Sequence, residues 1–291
     1  MISVVVITRN RLALLKKTIE SIMKQTFKDF ECIVVDDGST DGTREYCEAS
    51  PLKYFRICPE DSRGGNYARN IGVKLSTGQY IAFCDDDDYW MPTKLEKQMS
   101  LMQEKKCGLV YCLRTFERHD GENVTYWNEP HSGKPQGNIA QDVFCHHFTS
   151  TSTLLVKKTL LEQINGFDEN LKMWQEYDLI IRLAQLTEIY YVSECLVVYY
   201  SGSGLKRLSN SDYAKFPKTE KYFRTKYKKE LCKIGLKQKF LFYDMIVCEY
   251  FNRSKNAGIK HIYCPLWLWA FSSRIFHKII FLLNKRRWKE K

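Results

Sequence analysis

The first hundred residues alternate between short continuous apolar runs and longer segments whose apolar residues recur at helical spacing. Ile2–Thr8 is a β-branched run, which is typical of a strand buried on both faces of a parallel sheet. Residues 12–25 carry apolar side chains at helical spacing, and residues 30–35 form the next apolar run. A predicted helix over residues 64–76 precedes another apolar run at residues 80–84. This alternation predicts an α/β fold built on a doubly wound mixed sheet.

Four consecutive carboxylates, Asp85 to Asp88, end the apolar run at residues 80–84. Adjacent like charges repel, and burying any one of them without a partner costs free energy. An open α/β sheet places its ligand at the carboxyl ends of its strands. Oxygen ligands suit Mg²⁺ or Mn²⁺, and Mg²⁺ is commonly held by one or two carboxylates together with substrate phosphates. The pattern therefore predicts a Mn²⁺ or Mg²⁺ site with a diphosphate ligand, and the alternative is a solvated acidic loop.

The chain between residues 106 and 204 contains shorter predicted elements. The predicted strands are residues 109–116, 152–156, 189–192 and 196–200. Residues 119–138 are rich in Gly, Pro, Asn and charge, which predicts a long loop or a hairpin. Residues 176–186 form a predicted amphipathic helix.

Charge divides the chain into two parts. Residues 1–204 have a net charge of −5, whereas residues 205–291 hold 22 Lys or Arg against 6 Asp or Glu and have a net charge of +16. This asymmetry predicts an acidic, metal-using part and a basic, aromatic, helical C-terminal extension that faces an anionic partner. The 11 cysteines show no paired framework and no signal-peptide pattern is present, so we expect reduced thiols and a cytoplasmic protein.

The basic extension has the composition of a helix that lies in a membrane interface. No segment is apolar for long enough to predict a spanning helix. Residues 261–291 mix Trp and aliphatic side chains with cations, an arrangement that suits headgroup depth and anionic lipid. We predict peripheral attachment to the inner face of the cell membrane. The alternatives are a terminal helix packed on the core and nucleic-acid binding, which is disfavoured because no recognised nucleic-acid module accompanies the charge.

Five short motifs follow one another in the first 200 residues. They are Val4-Val-Val-Ile-Thr-Arg-Asn10, Val34-Val-Asp-Asp-Gly-Ser-Thr-Asp-Gly-Thr43, Ala68-Arg-Asn-Ile-Gly72, Gly78-Gln-Tyr-Ile-Ala-Phe-Cys-Asp-Asp-Asp-Asp-Tyr-Trp90, and Asn165-Gly-Phe-Asp168 with Gln175-Glu-Tyr-Asp-Leu179. In this order the motifs resemble the family 2 glycosyltransferases, inverting enzymes of the GT-A fold that use nucleotide-diphosphate sugars. The resemblance implies a GT-A domain over residues 1–204, with a nucleotide-sugar-binding half at residues 1–105 and an acceptor-binding half at residues 106–204.

The resemblance also implies a set of nucleotide-binding residues at the strand ends. The set is Thr8, Arg9, Asn10, Asp36, Asp37, Arg69, Asp85 and Asp86. Asp37 matches the family position that accepts the imide N–H of uracil, and Arg69 matches a cation that reaches the nucleotide. The alternatives are an Asx-turn at Asp37 and a surface salt bridge at Arg69.

The metal ligand and the general base follow from the same resemblance. Asp87 is expected to bind Mn²⁺ or Mg²⁺ directly, while Asp85 contacts the ribose or a metal-bound water. Glu176 is the expected general base; most of the family has Asp there, preceded by Glu where this chain has Gln175. The residues expected beside the acceptor or behind the ligands are Trp174, Gln175, Asp178 and Asp88.

These assignments imply a single in-line displacement with inversion, in which Glu176 deprotonates an acceptor hydroxyl. We expect a UDP-sugar donor and a polyprenyl-diphosphate-linked saccharide acceptor, in bacterial surface polysaccharide synthesis. One alternative is a non-catalytic nucleotide-sugar or glycan-binding module on a GT-A scaffold, which the departure at Gln175 and Glu176 keeps open. Another is a nucleotidyltransferase, which is disfavoured because its Gly- and Lys-rich amino-terminal loop is absent from this sequence.

Overall fold

The chain divides into two compact units. A computed structural model describes residues 1–131, 134–145, 147–202 and 213–256, with the main chain only at residues 201, 202 and 256. The first unit comprises residues 1–140 and 148–204, and the second comprises residues 141–147 and 205–291.

The strands of the first unit form one mixed sheet. They are β1 (Ile2–Thr8), β2 (Phe30–Asp36), β3 (Lys53–Arg56), β4 (Tyr80–Asp85), β5 (Asp88–Trp90), β6 (Leu109–Asp120), β7 (Asn123–Asn128), β8 (Leu155–Lys157) and β9 (Ile189–Gly202). Their order is β3-β2-β1-β4-β8-β6-β9-β5, and β7 pairs with β6 as a hairpin. Strands β3, β2, β1 and β4 are mutually parallel, whereas β8 is antiparallel to β4 and β6. The predicted α/β fold with a mixed sheet is confirmed.

Helices cover both faces of the parallel strands. Those of the first unit are α1 (Leu12–Met23), α2 (Thr43–Glu48), α3 (Gly65–Leu75), α4 (Lys94–Lys105), α5 (Lys158–Gln163) and α6 (Gln175–Ala184). Successive strand residues point to opposite faces, so each central strand contributes to two cores. Val34 belongs to the larger cluster with residues of α1 and α4, whereas Ile33 and Val35 join Ala68 of α3 in a smaller cluster.

Three of the predicted strand boundaries are wrong. The strand predicted at residues 109–116 continues to Asp120 as β6. Residues 151–153 form a 3₁₀ turn and the strand begins only at Leu155, because the side chain of Thr153 bonds the main chain of Ser150 and competes with strand pairing. The two strands predicted at residues 189–192 and 196–200 are the single strand β9. An irregular register opposite Cys112 and Leu113 absorbs the polar residues between them as a bulge.

The second unit contains α7 (Phe216–Lys226), α8 (Lys228–Lys233) and α9 (Leu236–Asn256). Its core is aromatic, since Phe216, Phe223 and Phe242 are all fully buried. None of the helices in the described residues has the length and apolar composition needed to cross a bilayer. The membrane prediction rests on residues 261–291, which lie outside the described residues.

One of the fully buried side chains of the first unit is a lysine, Lys94. Lys94 is 0% exposed, and its Nζ donates to Gln98 Oε1 at 2.7 Å and lies 3.9 Å from the centre of the Trp90 ring. Gln98 in turn donates to the carbonyls of Val110 and Thr153, so this pair ties α4 to β6 and to the 3₁₀ turn. Burial lowers the pKa of Lys94 from 10.5 to about 8.

We predict that replacing Lys94 by Met removes one component of the pH dependence of stability. Between the folded pKa near 8 and the unfolded value of 10.5, the unfolded chain binds more protons, so the stability of the wild type rises with pH. From pH 7 to pH 9.5 the difference in unfolding free energy between wild type and Lys94→Met should shift by about 2 kcal/mol in favour of the wild type. Urea unfolding of both proteins across this range measures it, and parallel pH profiles would contradict it.

Candidate active site

The carboxyl ends of β1, β2 and β4 meet at one edge of the sheet. Thr8, the last residue of β1, pairs in register with Asp36 of β2, and Ile7 pairs with Asp85 of β4. Since the three strands are parallel and adjacent, the polar residues that follow them are brought together. Asn10 joins two of these ends, because its main-chain N–H donates to Ser39 Oγ at 2.9 Å.

One guanidinium group bridges two of the four carboxylates. Nη1 of Arg11 lies 3.1 Å from Asp86 Oδ1 and 3.1 Å from Asp87 Oδ2. The hydroxyl of Thr8 donates to the other oxygen of Asp86 at 2.8 Å. Burial nevertheless raises the pKa of Asp86 to about 6, against the opposing attraction of Arg11. The cation offsets part of the cost of burying this charge.

The outer two carboxylates have different partners. Asp85 Oδ1 accepts a hydrogen bond from Arg69 Nη2 at 2.6 Å, and the Arg69 side chain is only 6% exposed. Asp88 is 1% exposed and accepts from the hydroxyl of Ser152 at 2.6 Å, while that hydroxyl also accepts from the main-chain N–H of Asp85. Thr18 of α1 donates to the carbonyls of Asp86 and Asp88. The turn is therefore held by side chains from α1, α3 and the 3₁₀ turn.

The two aspartates at the end of β2 differ in what they bind. Asp36 is fully buried and accepts from the main chain of Ser39 at 2.8 Å and from the hydroxyl of Tyr54 at 2.7 Å. It therefore forms the local turn contact that was the alternative interpretation for Asp37.

Only one of the two carboxylate oxygens of Asp37 has hydrogen-bond partners within the described residues. Its Oδ2 accepts from Ser62 at 2.9 Å and lies 3.5 Å from Arg9 Nη1. Its Oδ1 is buried and has no hydrogen-bond partner within the described residues. A buried acceptor without a donor costs roughly 1–3 kcal/mol, so a ligand N–H at this position would be favoured.

The motif at residues 68–72 holds α3 against its neighbours. A Cβ at Gly72 would lie 2.2 Å from Val5 of β1, so only glycine allows this close approach. Asn70 accepts from the main-chain N–H of Phe167 at 2.8 Å and donates to its carbonyl at 2.9 Å. Gly166 has φ +66°, and a Cβ there would lie 2.3 Å from Asn70 Oδ1. The motif at residues 165–168 is therefore the packing partner of the motif on α3.

Helix α6 follows that motif along the chain and begins at Gln175. Glu176 and Gln175 are half-buried in its first turn, after Trp174 with φ +61°. The Trp174 side chain is 3% exposed and its ring contacts Tyr177 edge-on at 5.7 Å. Asp178 is fully buried and its Oδ2 accepts from Arg182 Nε at 2.8 Å.

Arg182 fixes α6 to the turn that α3 holds. Its Nη1 donates to the carbonyl of Ile164 at 2.9 Å and to that of Gly166 at 2.7 Å. The first turn of α6, which carries Glu176, is thereby linked through the turn at residues 164–171 to α3 and to Arg69. The described contacts of Asp178 are those of a residue that positions this helix.

Comparison with known proteins identifies the family. The model of glycosyl transferase family 2 matches residues 3–164. The chain belongs to glycosyl transferase family 2. This membership confirms the resemblance that the five motifs carried.

Two curated relatives within glycosyl transferase family 2 illustrate the extent of the similarity. An uncharacterised glycosyltransferase of Rickettsia typhi is 30% identical over 205 residues, which cover 68% of this chain and 63% of the relative. The amylovoran biosynthesis glycosyltransferase AmsB of Erwinia amylovora is 32% identical over 195 residues, which cover 63% of this chain and 64% of the relative. The matched region thus spans less than two thirds of either relative.

Solved structures show the same fold. Residues 1–349 of S. aureus TarS in complex with UDP-GlcNAc superpose with a TM-score of 0.64 at 22% identity, covering 87% of this chain and 72% of that TarS chain. The mannosyltransferase PcManGT of Pyrobaculum calidifontis, in complex with GDP-Man and Mn²⁺, gives a TM-score of 0.58 at 16% identity, covering 94% of this chain and 79% of PcManGT. At these identities the likeness shows the GT-A fold alone, as the sequence predicted.

Two carboxylates of this family 2 protein, those of Asp86 and Asp87, are of the ligand type that hard divalent cations prefer. Within the described residues, no group of three or more His, Cys, Asp or Glu side chains is arranged to hold a metal. Asp86 and Asp87 nevertheless present carboxylate oxygens around one cationic group, the guanidinium of Arg11. One or two carboxylates with substrate phosphates are the usual ligands of Mg²⁺. The residues present therefore fit a metal that binds together with a diphosphate.

Arg11 and Ser152 are two of the residues that sequence reasoning missed. Arg11 had a detectable signal, since it follows a strand that the sheet places beside the strand ending in four carboxylates. Complementary charges at two neighbouring strand ends predict a pair. Ser152 had no such signal, because it lies on a 3₁₀ turn that is distant in sequence and was predicted to be a strand.

We predict that Asn70→Ala lowers the free energy of unfolding by about 3 kcal/mol, because it leaves the N–H and the carbonyl of Phe167 without their partner. Lys74→Ala on the exposed side of the same helix is the control and should change it by less than about 0.5 kcal/mol. Urea unfolding of both variants measures the difference, and equal effects would contradict the locking role of Asn70.

Proposed function

We propose that the chain is an inverting glycosyltransferase that moves a sugar from a nucleotide-diphosphate donor to a hydroxyl of a saccharide. The proposed donor is a UDP-sugar. The observation that carries the proposal is the buried Oδ1 of Asp37, which has no donor within the described residues and lies at the same sheet edge as the carboxylates of β4. Family membership supports a transferase, since the relatives named above are glycosyltransferases.

The Asp37 carboxylate, at the proposed position of the nucleobase, selects nucleobases that carry a ring N–H. Uracil, thymine and guanine present an imide or amide N–H on the edge that pairs, whereas cytosine and adenine present an acceptor nitrogen there. TarS was solved with UDP-GlcNAc and PcManGT with GDP-Man, and both of those bases carry the ring N–H. Thr8, Arg9 and Asn10 border the proposed base, and Arg69 lies toward the phosphates.

The diphosphate is proposed to bind beside Asp85 to Asp87. Asp87, with Asp86 behind it, would hold Mn²⁺ or Mg²⁺, and that ion would neutralise charge on the departing nucleotide diphosphate. Arg69 keeps Asp85 oriented through its 2.6 Å contact, which leaves the second Asp85 oxygen for the ribose or a bound water. Asp88 accepts a hydrogen bond from the Ser152 hydroxyl, and this contact stabilises the turn.

Glu176 is proposed as the general base. It lies half-buried in the first turn of α6, a helix held to the nucleotide half through Arg182 and Asn70. It would take the proton of the acceptor hydroxyl as that oxygen attacks the anomeric carbon opposite the diphosphate. A longer carboxylate than the Asp of most relatives would place the acceptor differently. Trp174 and Gln175 are proposed to border the acceptor.

We predict that Asp37→Asn weakens UDP binding about 10- to 100-fold, because the amide replaces a charged acceptor in a buried hydrogen bond. The same substitution should have less effect on CDP, whose base offers no ring N–H. Calorimetric titration of UDP, GDP and CDP into both proteins, with Mn²⁺ present, measures the change. Equal affinity of the wild type for UDP and CDP would contradict the assignment of Asp37.

We predict that Glu176→Gln lowers the rate of sugar transfer by about 10²- to 10⁴-fold while leaving UDP binding within about twofold. A donor panel of UDP-, GDP- and dTDP-sugars with saccharide acceptors, read as nucleotide release and product mass, measures it. Asp87→Ala in the same panel should remove the metal dependence of nucleotide release. Tight nucleotide-sugar binding with no transfer by the wild type to any acceptor would favour the non-catalytic binding module, which the residue pair Gln175 and Glu176 keeps as the second candidate.

The acceptor is proposed to be a saccharide linked to polyprenyl diphosphate, reached from a membrane surface by the basic extension. AmsB is named for amylovoran biosynthesis, which supports a role in bacterial surface polysaccharide synthesis. The net charge of +16 over residues 205–291 supports attraction to anionic lipid and peripheral attachment at the cytoplasmic face.

We predict that deleting residues 261–291 lowers partitioning onto vesicles containing anionic lipid at least about tenfold and leaves UDP binding unchanged. Sedimentation with vesicles of neutral and of mixed anionic composition measures it. Unchanged partitioning would remove the membrane role of this segment.

A further inference from the structure

Arg11 differs from Arg69 in how firmly it is held beside the acidic turn. The Arg69 side chain is 6% exposed, packs over the Phe167 ring at 5.5 Å and contacts Asp85. The Arg11 side chain is 27% exposed and reaches Asp86 and Asp87 from the residue that precedes α1. Its main chain is fixed, since its carbonyl accepts from Leu14 and Leu15 at 3.0 Å, whereas its guanidinium has a route to solvent.

Arg11 contacts one oxygen of each of the two carboxylates proposed to hold the metal. A single nitrogen, Nη1, lies 3.1 Å from one oxygen of Asp86 and from one oxygen of Asp87. Carboxylates that ligate Mg²⁺ do so at about 2.0–2.1 Å, so a metal on these two oxygens would lie close to the guanidinium. Two cations at this separation also repel strongly in a partly buried site.

We propose that Arg11 is an internal counter-ion that competes with the divalent cation for Asp86 and Asp87, and that it moves to the donor's diphosphate when metal and nucleotide bind together. Arg11 is a positioning residue: without ligand it offsets the repulsion between two adjacent carboxylates. The inference rests on the proposed function for its second half, because the diphosphate is the anion to which the displaced guanidinium turns. Guanidinium groups bind phosphate oxygens bidentately and are suited to that exchange.

The proposal makes metal and nucleotide binding cooperative. Metal alone must displace Arg11 from two carboxylates, so the wild type should bind metal weakly without nucleotide. With the diphosphate present, the displaced cation gains a new anionic partner and part of that cost is recovered. A coupling of this kind is typically 5- to 150-fold between two ligands and is reciprocal.

The test is a Mn²⁺ titration followed by the paramagnetic resonance signal of free Mn²⁺, with and without UDP, at one fixed pH. The proteins are wild type, Arg11→Ala, Arg11→Lys and the control Arg44→Ala, which removes the same charge from an exposed pair with Glu48. Without UDP, Arg11→Ala should bind Mn²⁺ about tenfold more tightly than wild type, and Arg44→Ala should match wild type. Arg11→Lys keeps the positive charge but lacks the planar, bidentate guanidinium, so its Mn²⁺ affinity should lie between those of wild type and Arg11→Ala.

The second readout is the enhancement of Mn²⁺ affinity by UDP, which should be at least about fivefold smaller in Arg11→Ala than in wild type. Equal or weaker Mn²⁺ binding by Arg11→Ala without UDP would overturn the inference, as would equal enhancement by UDP in the two proteins. If Arg11→Ala does not fold, Arg11→Lys alone decides, and unchanged Mn²⁺ affinity in it overturns the proposal. Failure of the wild type to bind any nucleotide would contradict the proposed function, while the titration without UDP still decides whether Arg11 competes with metal.

Discussion

Repulsion among four adjacent carboxylates is the constraint on which the structure of the candidate site depends. Asp85 to Asp88 follow four fully buried strand residues, Ile81 to Cys84, so their charges cannot all be left to water. The fold separates their partners: Arg69 contacts Asp85, Arg11 bridges the middle pair, and Ser152 donates to Asp88. Each partner comes from a different element, so the turn is stable only when those elements are packed in place.

Helix α3 connects the proposed nucleotide-binding half of the site to the helix that carries the proposed base. One side of it packs on β1 through Gly72, and the preceding turn presents Arg69 to Asp85. Asn70 then holds the turn at residues 164–168, to which Arg182 of α6 is also bonded. Small residues and amides in these motifs thus serve close packing and main-chain hydrogen bonding.

Much of the fold and part of the site were predictable from local patterns. The β-branched run of β1 and the helical spacing of α1 report burial directly, since period and residue type follow from the faces that are buried. The strand predicted at residues 152–156 was wrong because Thr153 and Ser150 satisfy each other's main chain, a local competition that hydrophobic pattern does not register. Likewise the two strands predicted within β9 are one, because a bulge against β6 continues pairing through polar residues.

The sequence by itself determined the alternation of strands and helices, the family, and the placement of Asp36, Asp37 and Asp85 at strand ends. Those follow from periodicity and from motif order, which are properties of neighbours along the chain. Only the tertiary structure decided which aspartate is committed to the fold and which keeps a buried oxygen without a donor, since that depends on Tyr54 and Ser62. It also decided that Arg11 lies between two carboxylates more than seventy residues away. The physical reason is that counter-ions and hydrogen-bond partners are chosen by proximity in space, after parallel strands have been brought side by side.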